Sequence, residues 1–125
     1  MALIVVVDDD EVIRLLLREI LQKAGHQVLE AGNGQEGLLL LQKHPVDLVI
    51  TDIFMPEMDG IDLLAAILRT KPDSKIIAMS GGYKAMDPHL TLRMAQSFGA
   101  LEILSKPLQA DRILASVSKI LAKQA

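Results

Sequence analysis

Side chains able to handle a phosphoryl group recur where apolar runs give way to turns. Asp52 closes the run that starts at Val46, and Asp8-Asp9 follows Leu3-Ile-Val-Val-Val7. Ser80-Gly81 follows the run Lys75 to Met79, and Lys106 follows Leu101 to Leu104. Three carboxylates held close repel one another, so such a group must bind a proton or a cation. Hard oxygen ligands with no His or Cys among them favour Mg²⁺, which keeps several waters in a near-octahedral shell. A carboxylate can also be the nucleophile in phosphoryl transfer. That reaction needs a metal and a cation on the phosphoryl oxygens, short hydrogen-bond donors and an in-line approach. Lys106 would supply the cation and Ser80 a hydroxyl, while Gly81 lets the backbone come close to a phosphate. Singly, these residues read as a solvated lysine, a turn hydroxyl, a helix-capping acid run and a loop acid. Their recurrence at four strand ends is what argues for a site.

Such a site exists only if the fold brings those ends together. The runs at Leu3–Val7 and Val46–Asp52 are short and rich in β-branched residues, the pattern of strands buried on both faces. From Val12 the period changes to helical, with Val12, Ile13, Leu16, Leu17, Ile20 and Leu21 on one face and Arg14, Arg18, Glu19, Gln22 and Lys23 on the other. Asp10 is the expected N-cap and Gly25 the stop. Gln27 to Ala31 reads as a strand, Asn33-Gly34 as a turn, and Gln35 to His44 as a leucine-rich helix ended by Pro45. Asp62 can cap a helix through about Thr70, with Leu63, Leu64, Ile67 and Leu68 apolar, and 71–74 reads as a turn. Lys75 to Met79 and Leu101 to Leu104 read as strands. Asp87-Pro88 opens a helix that stops at Gly99, and a last helix runs from about Gln109 to Lys123 with Ile113, Leu114, Val117, Ile120 and Leu121 inward.

Strand and helix thus alternate five times. Strict alternation implies an α/β fold with a parallel sheet and helices on both faces. Five units match a flavodoxin-like (βα)5 three-layer sandwich of strand order 2-1-3-4-5. That order places strands 1, 3, 4 and 5 side by side, so Asp8-Asp9, Asp52, Ser80 and Lys106 would meet at their carboxyl ends. Periodicity alone does not settle the order.

The remaining composition narrows the function. The 125 residues amount to one domain, and half of them are hydrophobic, enough for a sizeable core. A formal net charge of −3 argues against direct nucleic-acid binding. With two Phe, one Tyr and no Trp the core is aliphatic, and aromatic platforms for stacking bases are lacking. Absence of Cys excludes disulfides, thiolate metal sites and thiol chemistry. No apolar run approaches a membrane span and Met1 to Val7 is too short for a signal peptide, so a cytoplasmic domain away from the membrane is expected.

Val7-Asp8-Asp9-Asp10 with Arg14, Asp52-Ile-Phe-Met-Pro-Glu-Met-Asp-Gly60, Met79-Ser80-Gly81 and Lys106-Pro107 stand at a specific mutual spacing. In these residues the chain resembles, over essentially its whole length, the receiver domain of two-component response regulators. The resemblance implies a single receiver domain over 1–125 with no output domain, working in phosphorelay signal transduction. It implies that Asp52 accepts a phosphoryl group from a histidine kinase or histidine phosphotransfer protein. Mg²⁺ would be bound by Asp9, Asp52 and the Phe54 backbone carbonyl, with Asp8 acting mainly through water. Lys106 would pair with the phosphoryl oxygens, Ile53 and Gly81 would border them, and Ser80 would move to hydrogen-bond them. The bond before Pro107 would be cis. Phosphorylation adds about −1.5 to −2 charges, and the surface formed by the fourth helix, fifth strand and fifth helix would rearrange to change binding of a downstream protein partner. Such a domain catalyses only its own phosphorylation and dephosphorylation.

The chain departs from that pattern at three positions. Ile103 stands where the family usually has Tyr or Phe, so coupling through Ile103 is expected to be weak. Phe54 and Gly82 stand where polar side chains can orient a hydrolytic water, so slow self-dephosphorylation is expected. Tyr83, Met86, Leu90, Leu92 and Met94 make the fourth-helix region unusually apolar, and Leu92 marks a candidate contact for a partner or a phosphorylation-dependent homodimer. His26, His44 and His89 are expected to be solvated. Two other functions are weighed against the switch. An aspartate-nucleophile phosphatase would place a second acid at the position of Phe54. A pseudo-receiver that binds partners without phosphorylation would lack Asp52, Lys106 or the acid pair, and all are present. A nucleotide or flavin module is disfavoured, since no Gly-rich fingerprint follows the first strand.

Overall fold

The β-branched runs form the strands expected of them. In a computed structural model, which describes residues 2–52, 60–70, 74–80, 102–105 and 107–122, they are β1 (Leu3–Val7), β2 (Gln27–Ala31), β3 (Leu48–Asp52), β4 (Ile76–Ser80) and β5 (Glu102–Ser105). The helices are α1 (Glu11–Lys23), α2 (Gly34–Lys43), α3 (Gly60–Thr70) and a last helix at Ala110–Ala122. All strand pairs are parallel and the order is β2-β1-β3-β4-β5. The α/β fold with a flavodoxin-like 2-1-3-4-5 sheet is therefore the one expected. The helix expected over 87–99, the turn residues 71–73 and the bond before Pro107 lie outside the described residues.

The period-2 alternation of the strands divides the core into two layers. Val5, Val7, Val49, Ile76 and Ala78 face α2 and α3, where Leu41, Leu63 and Ile67 cover them. Ile4, Val6, Leu48, Ile50, Ile77, Met79 and Leu104 face α1 and the last helix, where Leu17, Leu21, Ile113, Val117 and Ile120 complete the packing. α2 lies close to β1 because Gly37 has no side chain. A Cβ there would sit 2.8 Å from Val7 Cγ2, closer than real side chains approach.

The helix ends differ in detail from their sequence pattern. Asp10 caps α1 as expected, accepting from Val12 N at 2.9 Å. Gly25 ends it at φ +95°, and His26 N returns to the Leu21 carbonyl at 3.1 Å. Asn33, expected in a turn, is instead the N-cap of α2, and its side chain accepts from Glu36 N. Asp62 is not the cap of α3 but an acid in its first turn, where it favours the helix dipole. The apolar face of α1 is narrower than its sequence suggests: Val12 and Leu16 are 71% and 38% exposed, and Leu17 and Leu21 alone on α1 are fully covered.

His26 corrects a second expectation. It is half-buried rather than solvated, and its Nδ1 accepts a hydrogen bond from Ala2 N at 3.2 Å. His44 is exposed and follows α2 as its C-cap, while His89 lies outside the described residues. Burial lowers the pKa of His26 from the usual 6.5, and the positive amino terminus adds to this. The unfolded chain therefore takes up the proton at higher pH than the folded one. The stability tied to neutral His26 is fully present above about pH 6.5 and is lost as pH falls towards the folded-state value. In urea titrations across that range, the stability advantage of the parent over His26→Gln should shrink as pH falls. A pH-independent difference would contradict this account.

Candidate functional site

Strand register builds the acidic site. Val7 of β1 pairs with Thr51 of β3, so Asp8 and Asp52 come next, side by side on neighbouring strands. Both continue the alternation of Ile4-Val6 and Leu48-Ile50, so both leave the sheet on the α1 face. Asp9 follows at the turn into α1. One carboxylate oxygen from each of Asp8, Asp9 and Asp52 lies within 4.8 Å of the others. Asp8 is fully buried, Asp52 is 7% exposed and Asp9 is open to solvent. The cluster is thus walled by protein and open on one side, at the carboxyl ends of the strands where such sheets bind ligands.

Each acid is tied to the backbone around it. Asp8 Oδ1 accepts from Asp10 N at 2.8 Å, which turns the chain from β1 into α1. Asp8 N donates to Ala31 O at 3.1 Å, extending the β1–β2 ladder by one step. Thr51, buried beneath the site, donates its hydroxyl to the Asp52 carbonyl at 3.0 Å. Asp52 pairs across the sheet with Met79 of β4, and Ser80 and Ser105 pair at the ends of β4 and β5.

The donor set suits a small hard cation. It consists of carboxylate oxygens without sulfur or imidazole, and small side-chain rotations would bring them together. Adjacent ligands on an octahedral Mg²⁺ lie roughly 2.9 Å apart when each is about 2.0–2.1 Å from the ion. The arrangement brings Asp8, Asp9 and Asp52 together as anticipated and places the backbone of Ser80 at the same end of the sheet. Ile53, Phe54, Gly81 and Lys106 lie outside the described residues, as does the apolar segment with Leu90, Leu92 and Met94.

One group of residues near the site was given no role by the sequence, although Arg14 stands within the family pattern. Arg14 Nη1 donates to the Asp8 carbonyl at 2.6 Å. Its Nε lies 3.4 Å from Glu30 Oε1, and Arg18 Nη1 lies 2.7 Å from Glu30 Oε2. Beside them Glu36 accepts from Gly32 N at 2.9 Å. Helical periodicity places Arg14 and Arg18 on a solvent face. What could have flagged them is Glu30, a lone charge in β2 beside Val28, Leu29 and Ala31.

Comparison with known proteins points the same way as this geometry. The pattern of the response regulator receiver domain matches residues 4–118. The chain is 39% identical over 119 residues to the chemotaxis protein CheY of Bacillus subtilis, covering 94% of this chain and 96% of that one. It is 36% identical over 118 residues to CheY of Thermotoga maritima, covering 94% and 95%. A solved response regulator receiver domain protein from Clostridium thermocellum superposes with a TM-score of 0.89 at 28% identity, covering 99% of this chain and 97% of that one.

Proposed function

Because the chain belongs to the response regulator receiver domain family, we propose that it is a phosphoacceptor switch in a two-component pathway, with Asp52 as the acceptor. The observation that carries this reading is the convergence of Asp8, Asp9 and Asp52 at the carboxyl end of the sheet. An Asp52 carboxylate oxygen attacks phosphorus in line. The phosphorus–nitrogen bond of a donor phosphohistidine breaks, and its electron pair stays with the imidazole. Asp52 becomes an acyl phosphate. Asp9, Asp52 and the Phe54 carbonyl would hold Mg²⁺, with Asp8 reaching it through water; the bound ion supplies positive charge to the phosphoryl oxygens. Lys106 supplies a second positive charge, and Ile53 and Gly81 border the transferred group.

The chain performs no chemistry on a separate substrate in this reading; it promotes its own phosphorylation and dephosphorylation. Ser80 closes on the phosphoryl group, and the surface around the segment before β5, β5 itself and the last helix changes its preference for a downstream protein. That preference is reciprocal, so a partner selecting the switched surface also favours phosphorylation. Among the described residues no helix is long and apolar enough to cross a membrane. The test is intact mass after incubation with acetyl phosphate, with and without Mg²⁺. A gain of one phosphoryl group that requires the metal supports the switch. No gain in either condition leaves a partner-binding module and overturns the phosphoacceptor reading. Phosphoryl loss from the purified product should be slow, given Phe54 and Gly82, and decay as fast as that of a Phe54→Asn, Gly82→Glu variant would contradict this.

A further inference from the structure

The ladder of β1 is incomplete at the acidic end, and an arginine completes it. At the start of the strand Ala2 O accepts from Gln27 N of β2, while Leu3 O accepts from Asp47 N on the β3 side. Neighbouring residues of β1 therefore address opposite partners. Asp8 N still bonds to Ala31 O, so the Asp8 carbonyl also turns towards β2. There the strand has ended. Asn33 has become the cap of α2, and Gly32 N is taken by the Glu36 carboxylate. Arg14 Nη1 occupies the place of the missing donor at 2.6 Å.

We propose that Arg14 is a positioning residue for the acidic site, fixing the Asp8–Asp9 peptide through the Asp8 carbonyl while Glu30 fixes Arg14. This rests on the phosphoacceptor reading of the same site. The peptide unit is planar, so a guanidinium that sets the direction of the Asp8 carbonyl also sets the plane from which the Asp9 chain departs. Asp9 is exposed and is not packed in place by a core; the backbone must position it. The guanidinium itself is held. Glu30 receives Arg14 on one oxygen and Arg18 on the other, and the Arg14 side chain is only 19% exposed. Glu36 lies beside them, so two arginines face two glutamates and the group is close to neutral. Groups that orient metal ligands by hydrogen bonding commonly change metal affinity by about 10–100-fold when removed.

The experiment is Mg²⁺ titration by calorimetry on the full chain, beside thermal melts and acetyl phosphate labelling. Arg14→Met keeps the apolar stem and removes the fork. It should bind Mg²⁺ about tenfold more weakly, label slowly at low Mg²⁺ and recover at high Mg²⁺. Arg14→Lys should fall between the two, since one ammonium cannot serve both the carbonyl and Glu30 as the planar fork does. A merely structural role would lower the melting temperature and leave Mg²⁺ affinity within twofold of the parent, and that result overturns the proposal. If Arg14→Met does not fold, Glu30→Gln decides: affinity reduced severalfold supports the clamp and unchanged affinity overturns it. A parent that binds Mg²⁺ but takes no phosphoryl group would end the phosphoacceptor reading while the affinity comparison still judges Arg14. A parent that binds no Mg²⁺ overturns both.

Discussion

Asp52→Asn is expected to take up no phosphoryl group from acetyl phosphate under any condition, and yet to melt at a higher temperature than the parent when Mg²⁺ is removed. The first half follows from chemistry, because an amide is not a nucleophile of this kind. The second follows from packing. Asp8 is fully buried and Asp52 nearly so, and their oxygens lie within 4.8 Å of each other and of Asp9. At an effective dielectric of about 20 the repulsion of two unit charges at that spacing is roughly 3 kcal/mol. Part of it is relieved by the solvent that reaches Asp9. The same repulsion is what attracts a cation. A ligand that binds only the folded state stabilises it by about 2.7 kcal/mol at a hundredfold excess over its Kd. Excess Mg²⁺ should therefore raise the parent's melting temperature more than the variant's and narrow or invert the gap. Intact mass and paired melts in EDTA and in Mg²⁺ check both halves. Phosphoryl uptake by Asp52→Asn would sink the assignment of the acceptor. A variant less stable than the parent in EDTA would sink the account of stored repulsion.

The fold was legible because its signals are local and repeated. Buried parallel strands announce themselves as β-branched runs such as Leu3–Val7, and α1 announces itself by the change of period after Asp10. The acidic cluster followed from the order of strands, which rests on handedness and alternation rather than on any one residue. What could not be read depends on distant geometry. Arg14 looks like a solvated helix residue until the register sets Glu30 opposite Val6 and ends β2 at Ala31, opposite Val7, one residue short of Asp8. His26 looks like a surface residue until Ala2 N is seen to donate to it across 24 positions of chain. Val12 and Leu16 look like core until the packed face of α1 is seen to centre on Leu17 and Leu21. Asn33-Gly34 is the instructive case of local signals competing. The pair suits a turn and equally suits a helix start, and Glu36 at the third helical position, whose N–H the Asn33 side chain accepts, fits the second.

Ile50→Ala should cost more stability than any surface change, and the reason is the position of β3. Ile50 is fully buried on the middle strand, paired with Val6 on one side and Ile77 on the other. Above it Leu17 and Leu21 of α1 share one cluster with Ile113 and Val117 of the last helix. Strands on both sides hold β3 in register, so the space left by the lost carbons cannot close by moving it. Buried Ile→Ala changes cost about 2–5 kcal/mol, more where the site cannot collapse, so about 4 kcal/mol is expected here. Ile50→Val, which removes one methyl, should cost about 0.5–1.5 kcal/mol. Against a total of about 5–15 kcal/mol for a domain, the alanine variant would lose a large share of its folding free energy. Urea denaturation measures it, with the slope of the transition unchanged if the native state keeps its compactness. Ile50 lies two residues from Asp52 on the same face, but it belongs to the apolar cluster beneath α1 and supplies no polar group to the site. At low temperature the folded fraction should therefore label with acetyl phosphate as fast as the parent, and labelling should be lost on warming along the melting curve. A loss below about 1 kcal/mol would mean that the core beneath β3 can repack. Slow labelling in a fully folded sample would mean that Ile50 helps to place Asp52 directly.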